Sequence, residues 1–252
     1  WTDENSHAGE RDAYAAVQRI HKWLKQVDPS FTGMDFVCGT NVNVTSDVCN
    51  AFWNGSSINF YAAGGGCVNM ATMADVVMHE YSHGITQRTY TPQQPPTNSG
   101  MGEAFSDMCA QTVTNDRYMG YGWQNGNGFI RDAENLRQYP GTECGGQVHC
   151  LGEMLMGASW KTRKNFIATY GYETGVALYD ARIRAAIKTK QTTQPAFLNK
   201  LLIADDDNAN LADGTPNWYE ICDAFAIHNF TCPAITQFIF FEHDAVLDVE
   251  EV

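Results

Sequence analysis

The sequence predicts an α+β fold of two lobes with a cleft between them. A small N-terminal α/β lobe spans residues 1–115, a mostly helical lobe spans 116–235, and 236–252 form a tail or the start of a linker. Two observations carry this reading. Short apolar runs broken by turn residues fill 34–62, as strands do. From residue 101 onward the apolar residues recur mainly at helical spacing.

In chain order, Tyr14, Val17, Ile20, Trp23, Leu24 and Val27 predict an amphipathic helix over 8–27. Residues 34–44 and 50–61 read as short strands, with Asn54-Gly55 as a hairpin signal. Gly64-Gly65-Gly66 interrupts the chain, and a helix over 70–88 follows. A polar, proline-rich loop from Thr89 to Gly100 leads to a second helix over 101–114. Further helices are expected near 148–169, 173–189, 195–204 and 216–228, the last opened by Pro216 at its first position. Phe238 to Phe241 reads as one more strand.

Composition narrows the function classes. Apolar residues make up 44% and charged residues 18%, which is globular. A net charge of −13 repels a phosphate backbone, so nucleic acid is not an expected partner. No apolar run approaches the roughly 18 residues that cross a bilayer, so no membrane partner is expected, and the chain is expected to be a monomer. The polar stretch from Trp1 to Arg11 has no leader-like core, so a secreted chain would have shed its leader. Eight cysteines without a CxxC pair suggest disulfides, an oxidising compartment and hence secretion. Short loops favour Cys38–Cys49, Cys144–Cys150 and Cys222–Cys232, leaving Cys67–Cys109.

The chemistry concentrates at His79-Glu80-Tyr81-Ser82-His83. Positions i and i+4 share a helix face, so both imidazoles can reach one ion, and Glu80 beside them can take a proton from water. Gly102-Glu103-Ala104-Phe105-Ser106-Asp107 follows. Glu103 can be a third ligand, and Asp107, one turn on, can accept the N–H of a ligating histidine. Three protein ligands and one open position is the catalytic arrangement of zinc.

HExxH followed, twenty residues past its second histidine, by ExxxD resembles the thermolysin-like peptidases. The Gly-Glu-Ala-Phe-Ser-Asp run is also similar to the fungalysin-like group. The resemblance implies a thermolysin-like two-lobe zincin with a reduced N-terminal lobe. It implies a secreted endopeptidase acting on peptides or proteins, with one catalytic zinc and an inhibitory N-terminal propeptide that is cleaved away. By the same resemblance, Asn50 and Ala51 of Asn50-Ala51-Phe52-Trp53 bind substrate backbone, and Arg131 of Ile130-Arg131 holds a substrate carbonyl. His149 of Gly145-Gly146-Gln147-Val148-His149, a motif with one residue inserted, donates to the oxyanion. Val76 and Ile130 line a hydrophobic pocket for the residue after the cut.

Some positions depart from the family pattern. Gln94 stands where the thermolysin group has an assisting tyrosine, and of the paired-calcium ligands only Asp75 persists, with Thr114 in place of a glutamate. A separate acidic stretch with Asp205, Asp207 and Asp213 could hold calcium. Two rival readings are weaker. A zinc aminopeptidase needs a free-amine motif, commonly Gly-x-Met-Glu-Asn, which is absent. A non-catalytic zinc-bearing adhesion module needs neither Glu80 nor His149.

Overall fold

A computed structural model describes residues 1–96 and 99–236. Helix α1 (Ala8–Val27) opens the chain, with the Glu10 carboxylate accepting the His7 N–H at its start. Its buried stripe is Ala13, Ala16, Ile20 and Leu24. The expected stripe is therefore turned: Tyr14 is 56% exposed, because the small alanines, not the tyrosine, let the helix lie close against the core. Asp28 ends α1, and its carboxylate accepts hydrogen bonds from Arg184 and Lys188 of the later helical region.

Three strands follow, β1 (Gly39–Val44), β2 (Ala51–Trp53) and β3 (Ser57–Tyr61), in the order β1-β3-β2. β2 and β3 pair antiparallel through the Asn54-Gly55 turn, where Asn54 Oδ1 accepts from the Ser56 and Ser57 amides. β1 runs parallel to β3. β2 is thus an edge strand, with backbone groups on its outer side free to pair.

A short 3₁₀ turn, Met70–Thr72, precedes helix α2 (Ala74–Tyr90), which is buried along nearly its whole length. Helix α3 (Met101–Thr114) crosses it, and a minimal ribbon of β4 (Tyr118–Met119) and β5 (Arg131–Asp132) follows. Helices α4 (Val148–Tyr170), α5 (Tyr172–Lys188), α6 (Gln194–Asp205) and α7 (Trp218–Ala226) complete the described chain. Pro216 lies in the turn before α7 rather than at its first position, because Asn217 caps that helix and is itself held by Asp205. The strand expected at Phe238–Phe241 lies outside the described residues. No described helix is long and apolar enough to cross a membrane.

Two apolar cores result. One joins α1, the sheet and α2 through residues such as Ile20, Phe60, Val77 and Ile85. The other gathers Phe105, Leu155, Phe166, Phe197 and Trp218 from the later helices. α3 serves both, with Met101, Phe105 and Met108 in the second core and Cys109 and Ala110 in the first.

Disulfides join Cys49 to Cys67, Cys144 to Cys150 and Cys222 to Cys232, while Cys38 and Cys109 are free thiols. The expected pairs Cys38–Cys49 and Cys67–Cys109 are therefore replaced. Cys38 precedes β1 and Cys49 follows it, so a strand of six residues, about 20 Å long, holds them apart. Cys109 is enclosed between α2 and α3, and burial pushes its thiol pKa up to about 12.

The α3–α4 crossing is close. A Cβ on Gly100 (φ +69°) would lie 2.4 Å from the Gly152 nitrogen and 2.5 Å from the Val148 oxygen, whereas one on Gly102 meets nothing within 4 Å. Gly100→Ala should therefore destabilise the protein by about 2 kcal/mol or more, and Gly102→Ala should be neutral or stabilising by up to about 1 kcal/mol. Urea denaturation of the two variants checks this contrast.

Candidate metal centre

Three elements converge at the bottom of the cleft. One turn of α2 places the His79 and His83 rings perpendicular, with centroids 4.7 Å apart. α3 brings Glu103 opposite them, its Oε2 lying 3.3 Å from His79 Nε2 and 3.6 Å from His83 Nε2. The ligand atoms of these three residues all lie within 4.8 Å of one another. Glu103 Oε2 is buried yet makes no hydrogen bond, so the imidazoles converge on a point instead of pairing with it directionally.

That convergence fits a cation. Two ligand atoms about 2.0 Å from a tetrahedral zinc are roughly 3.3 Å apart. The donor set, two imidazole nitrogens and one carboxylate oxygen, is also one zinc accepts.

Charge at the site is arranged around His79. Its Nδ1 lies 2.6 Å from Asp107 Oδ1, leaving Nε2 to face Glu103. Arg131 grips Asp107 with a two-pronged contact, Nε to Oδ2 and Nη2 to Oδ1, each 2.7 Å. Burial opposes the Asp107 charge, but Arg131 and His79 outweigh it and hold the carboxyl well below its usual range. Burial also opposes charge on His79, yet Asp107 and Glu103 raise its pKa to about 10. His83 goes the other way, to about 4, through burial and the charge of His79. Against burial, His79, His83 and His149 hold Glu103 at about 2. Glu80, almost fully enclosed, is raised to about 7, chiefly by burial. A dication at this point competes with the proton on His79.

His149 stands in the first turn of α4, half exposed, with Nε2 3.2 Å from Glu103 Oε2. Gln147, the residue inserted in this motif, fixes its tautomer. The Gln147 side-chain Oε1 accepts the Cys150 N–H as the helix cap, and its Nε2 donates to His149 Nδ1 at 2.9 Å. His149 therefore carries its proton on Nε2, facing the site.

A cleft of about 520 Å³ surrounds these groups. Asn50, Ala51, His79, Glu80, His83, Glu103 and His149 all line it. Val76, Ile130 and Arg131 do not: Val76 is 7% exposed within the first core, Ile130 is 39% exposed beside Gly120, and Arg131 is turned onto Asp107. The cleft is also lined by Trp53, Thr86, Gln87 and Gln94, which the sequence motifs left unassigned. Thr86 and Gln87 follow His83 at helical spacing, a signal available in the sequence. Tyr90 lies elsewhere, buried in the second core with its hydroxyl donating to Gln191 O.

The acidic stretch does not assemble a second metal group. Asp205 is spent on Arg182, Thr215 and Asn217, Asp213 accepts from Asn208, and Asp207 is exposed. These oxygens close the loop before α7. Among the described residues only His79, His83 and Glu103 form a metal-holding group. Asp75 likewise binds backbone, accepting the Gly120 N–H and its neighbour's amide.

Comparison with known proteins agrees with this geometry. The thermolysin metallopeptidase catalytic domain matches residues 1–87, and fungalysin metallopeptidase (M36) matches residues 62–226. Bacillolysin of Brevibacillus brevis is 30% identical over 123 residues, 47% of this chain and 22% of that protein. The neutral protease of Vibrio proteolyticus is 27% identical over 146 residues, 55% of this chain and 24% of that protein. The matched stretches thus span less than a quarter of these relatives. Among solved structures, the precursor of protealysin, a metalloproteinase from Serratia proteamaculans, superposes with a TM-score of 0.72 at 16% identity, covering 90% of this chain and 80% of that one. At that identity the likeness speaks for the fold, a thermolysin-like α+β architecture.

Removing Asp107 should loosen His79 without deleting a ligand. Asp107→Asn is expected to weaken zinc binding by about tenfold to a hundredfold, and His83→Ala to abolish it. Competition against a chromophoric chelator measures both.

Proposed function

Because the chain belongs to the fungalysin metallopeptidase family, we propose that it is a secreted zinc endopeptidase hydrolysing internal peptide bonds. The observation that carries this reading is the convergence of His79, His83 and Glu103 with Glu80 and the Nε2–H of His149 around one point in an open cleft. When bound, zinc supplies a Lewis acid that polarises the scissile carbonyl and acidifies water.

The chain's own residues do the rest. Glu80, enclosed beside the ligand histidines, accepts a proton from the attacking water and passes it to the leaving amine. His149 donates from Nε2 to the oxygen that becomes negative at the tetrahedral stage. The outer edge of β2, at Asn50 and Ala51, offers backbone groups that can pair with an extended substrate. Asp107 and Arg131 hold the His79 ring, and the resemblance further gives Arg131 a contact to a substrate carbonyl. By the resemblance alone, Val76 and Ile130 mark a preference for a hydrophobic residue immediately after the cut; neither side chain lines the cleft. Disulfides, together with one relative named as extracellular, the extracellular metalloprotease of Pectobacterium carotovorum subsp. carotovorum, support secretion. The likeness to a precursor structure supports maturation from a propeptide-bearing form.

Casein hydrolysis by the zinc-loaded protein should vanish with a chelator and return with zinc. Glu80→Gln should keep stoichiometric zinc while losing at least about a thousandfold in kcat. Hydrolysis that persists at wild-type rate in Glu80→Gln would sink the assignment. A peptide library cleaved mainly before charged residues would sink the proposed hydrophobic preference.

A further inference from the structure

One wall of the cleft holds polar groups that the mechanism above does not use. Hydroxyl side chains in this helix normally fold back onto it: Ser82 donates to Met78 O, Thr89 to Ile85 O and Thr91 to Gln87 O. Thr86 does not. It is only 3% exposed, it lines the cleft, and among the described residues its hydroxyl has no hydrogen-bond partner. Its hydroxyl therefore faces the cleft and can bond a guest there. Gln87 lies beside it. Its Oε1 accepts from Trp53 Nε1 at 2.6 Å, which fixes the carboxamide and leaves its Nε2 against Gly55 at the cleft rim, without a partner among the described residues.

The available chemistry is selective. Thr86 offers a hydroxyl that can accept, and Gln87 offers an NH₂ that donates. Among the described residues no Lys or Arg lines the cleft to pair with a carboxylate guest, so these two groups suit a neutral one. A side-chain amide complements both groups, its carbonyl taking the Gln87 N–H and its NH₂ giving to Thr86. α2 also sets the position along the substrate. The resemblance puts the residue after the cut toward the Val76 end of α2, although that side chain itself sits in the first core, while Thr86 lies one turn beyond His83 toward the other end, about 15 Å from Val76 along the axis.

We propose that Thr86 and Gln87 form a subsite that selects asparagine or glutamine, one or two residues before the scissile bond. This rests on the endopeptidase reading. It is tested with the zinc-loaded protein on a positional library of end-blocked, internally quenched peptides. The wild type should enrich Asn and Gln at one of those two positions. In Thr86→Val, kcat/KM for a Gln-bearing peptide should fall about tenfold relative to its Leu-bearing counterpart, with the preference after the cut retained. Gln87→Met should move the same ratio in the same direction. A flat wild-type profile at both positions, or a Gln:Leu ratio unchanged in both variants, overturns the subsite and leaves the endopeptidase reading intact. Cleavage of no peptide at all overturns that reading and the subsite with it.

Discussion

The site depends on the fork of Arg131 closing on Asp107, which in turn holds His79. Three segments distant in sequence, β5, α3 and α2, meet there through contacts of 2.6–2.7 Å. Each partner is enclosed, so each needs the others: a buried carboxylate without its guanidinium would be uncompensated, and a loose imidazole would lose its aim. The planar two-pronged geometry is particular to arginine, since a lysine offers a point charge and no fixed direction. Once Nδ1 is committed, Nε2 is the only nitrogen of His79 left to turn inward.

α2 is the element through which this constraint spreads. It lies between the two cores and carries polar side chains where a buried helix would ordinarily be apolar. Those side chains are tolerated because each is answered by a partner, by the helix backbone, or by the open cleft. His79 and Ser82 belong to the first two groups, and Thr86 to the last. Where the sheet edge faces the same cleft, Trp53 reaches across to Gln87 and ties strand to helix.

The sequence revealed most about short-range features. The spacings of His79 with His83 and of Glu103 with Asp107 are helical repeats that put each pair on one face, and the helices over 8–27 and 101–114 agree with α1 and α3. What depends on long-range geometry was hidden. Pairing of Cys49 with Cys67 requires knowing that β1 stands between Cys38 and Cys49. The acidic stretch looked like a cation loop because its composition does not say that Asp205 turns inward to Asn217 and Thr215. Gln147 looked like an interruption of a motif, yet it both caps α4 and sets the proton on His149. Val76 matches a pocket position by pattern while its side chain sits in the first core.

The double membership of α3 has a consequence for how the molecule can be taken apart. Because one face of that helix completes the first core and the other completes the second, no seam runs between two self-sufficient halves. A fragment ending before Met101 would leave Val77 and Ile85 partly uncovered, and one beginning there would lack the histidines. The liability of carrying a hydrolytic centre is thereby coupled to completeness: a truncated chain, such as one released early during synthesis, has no third ligand with which to become active.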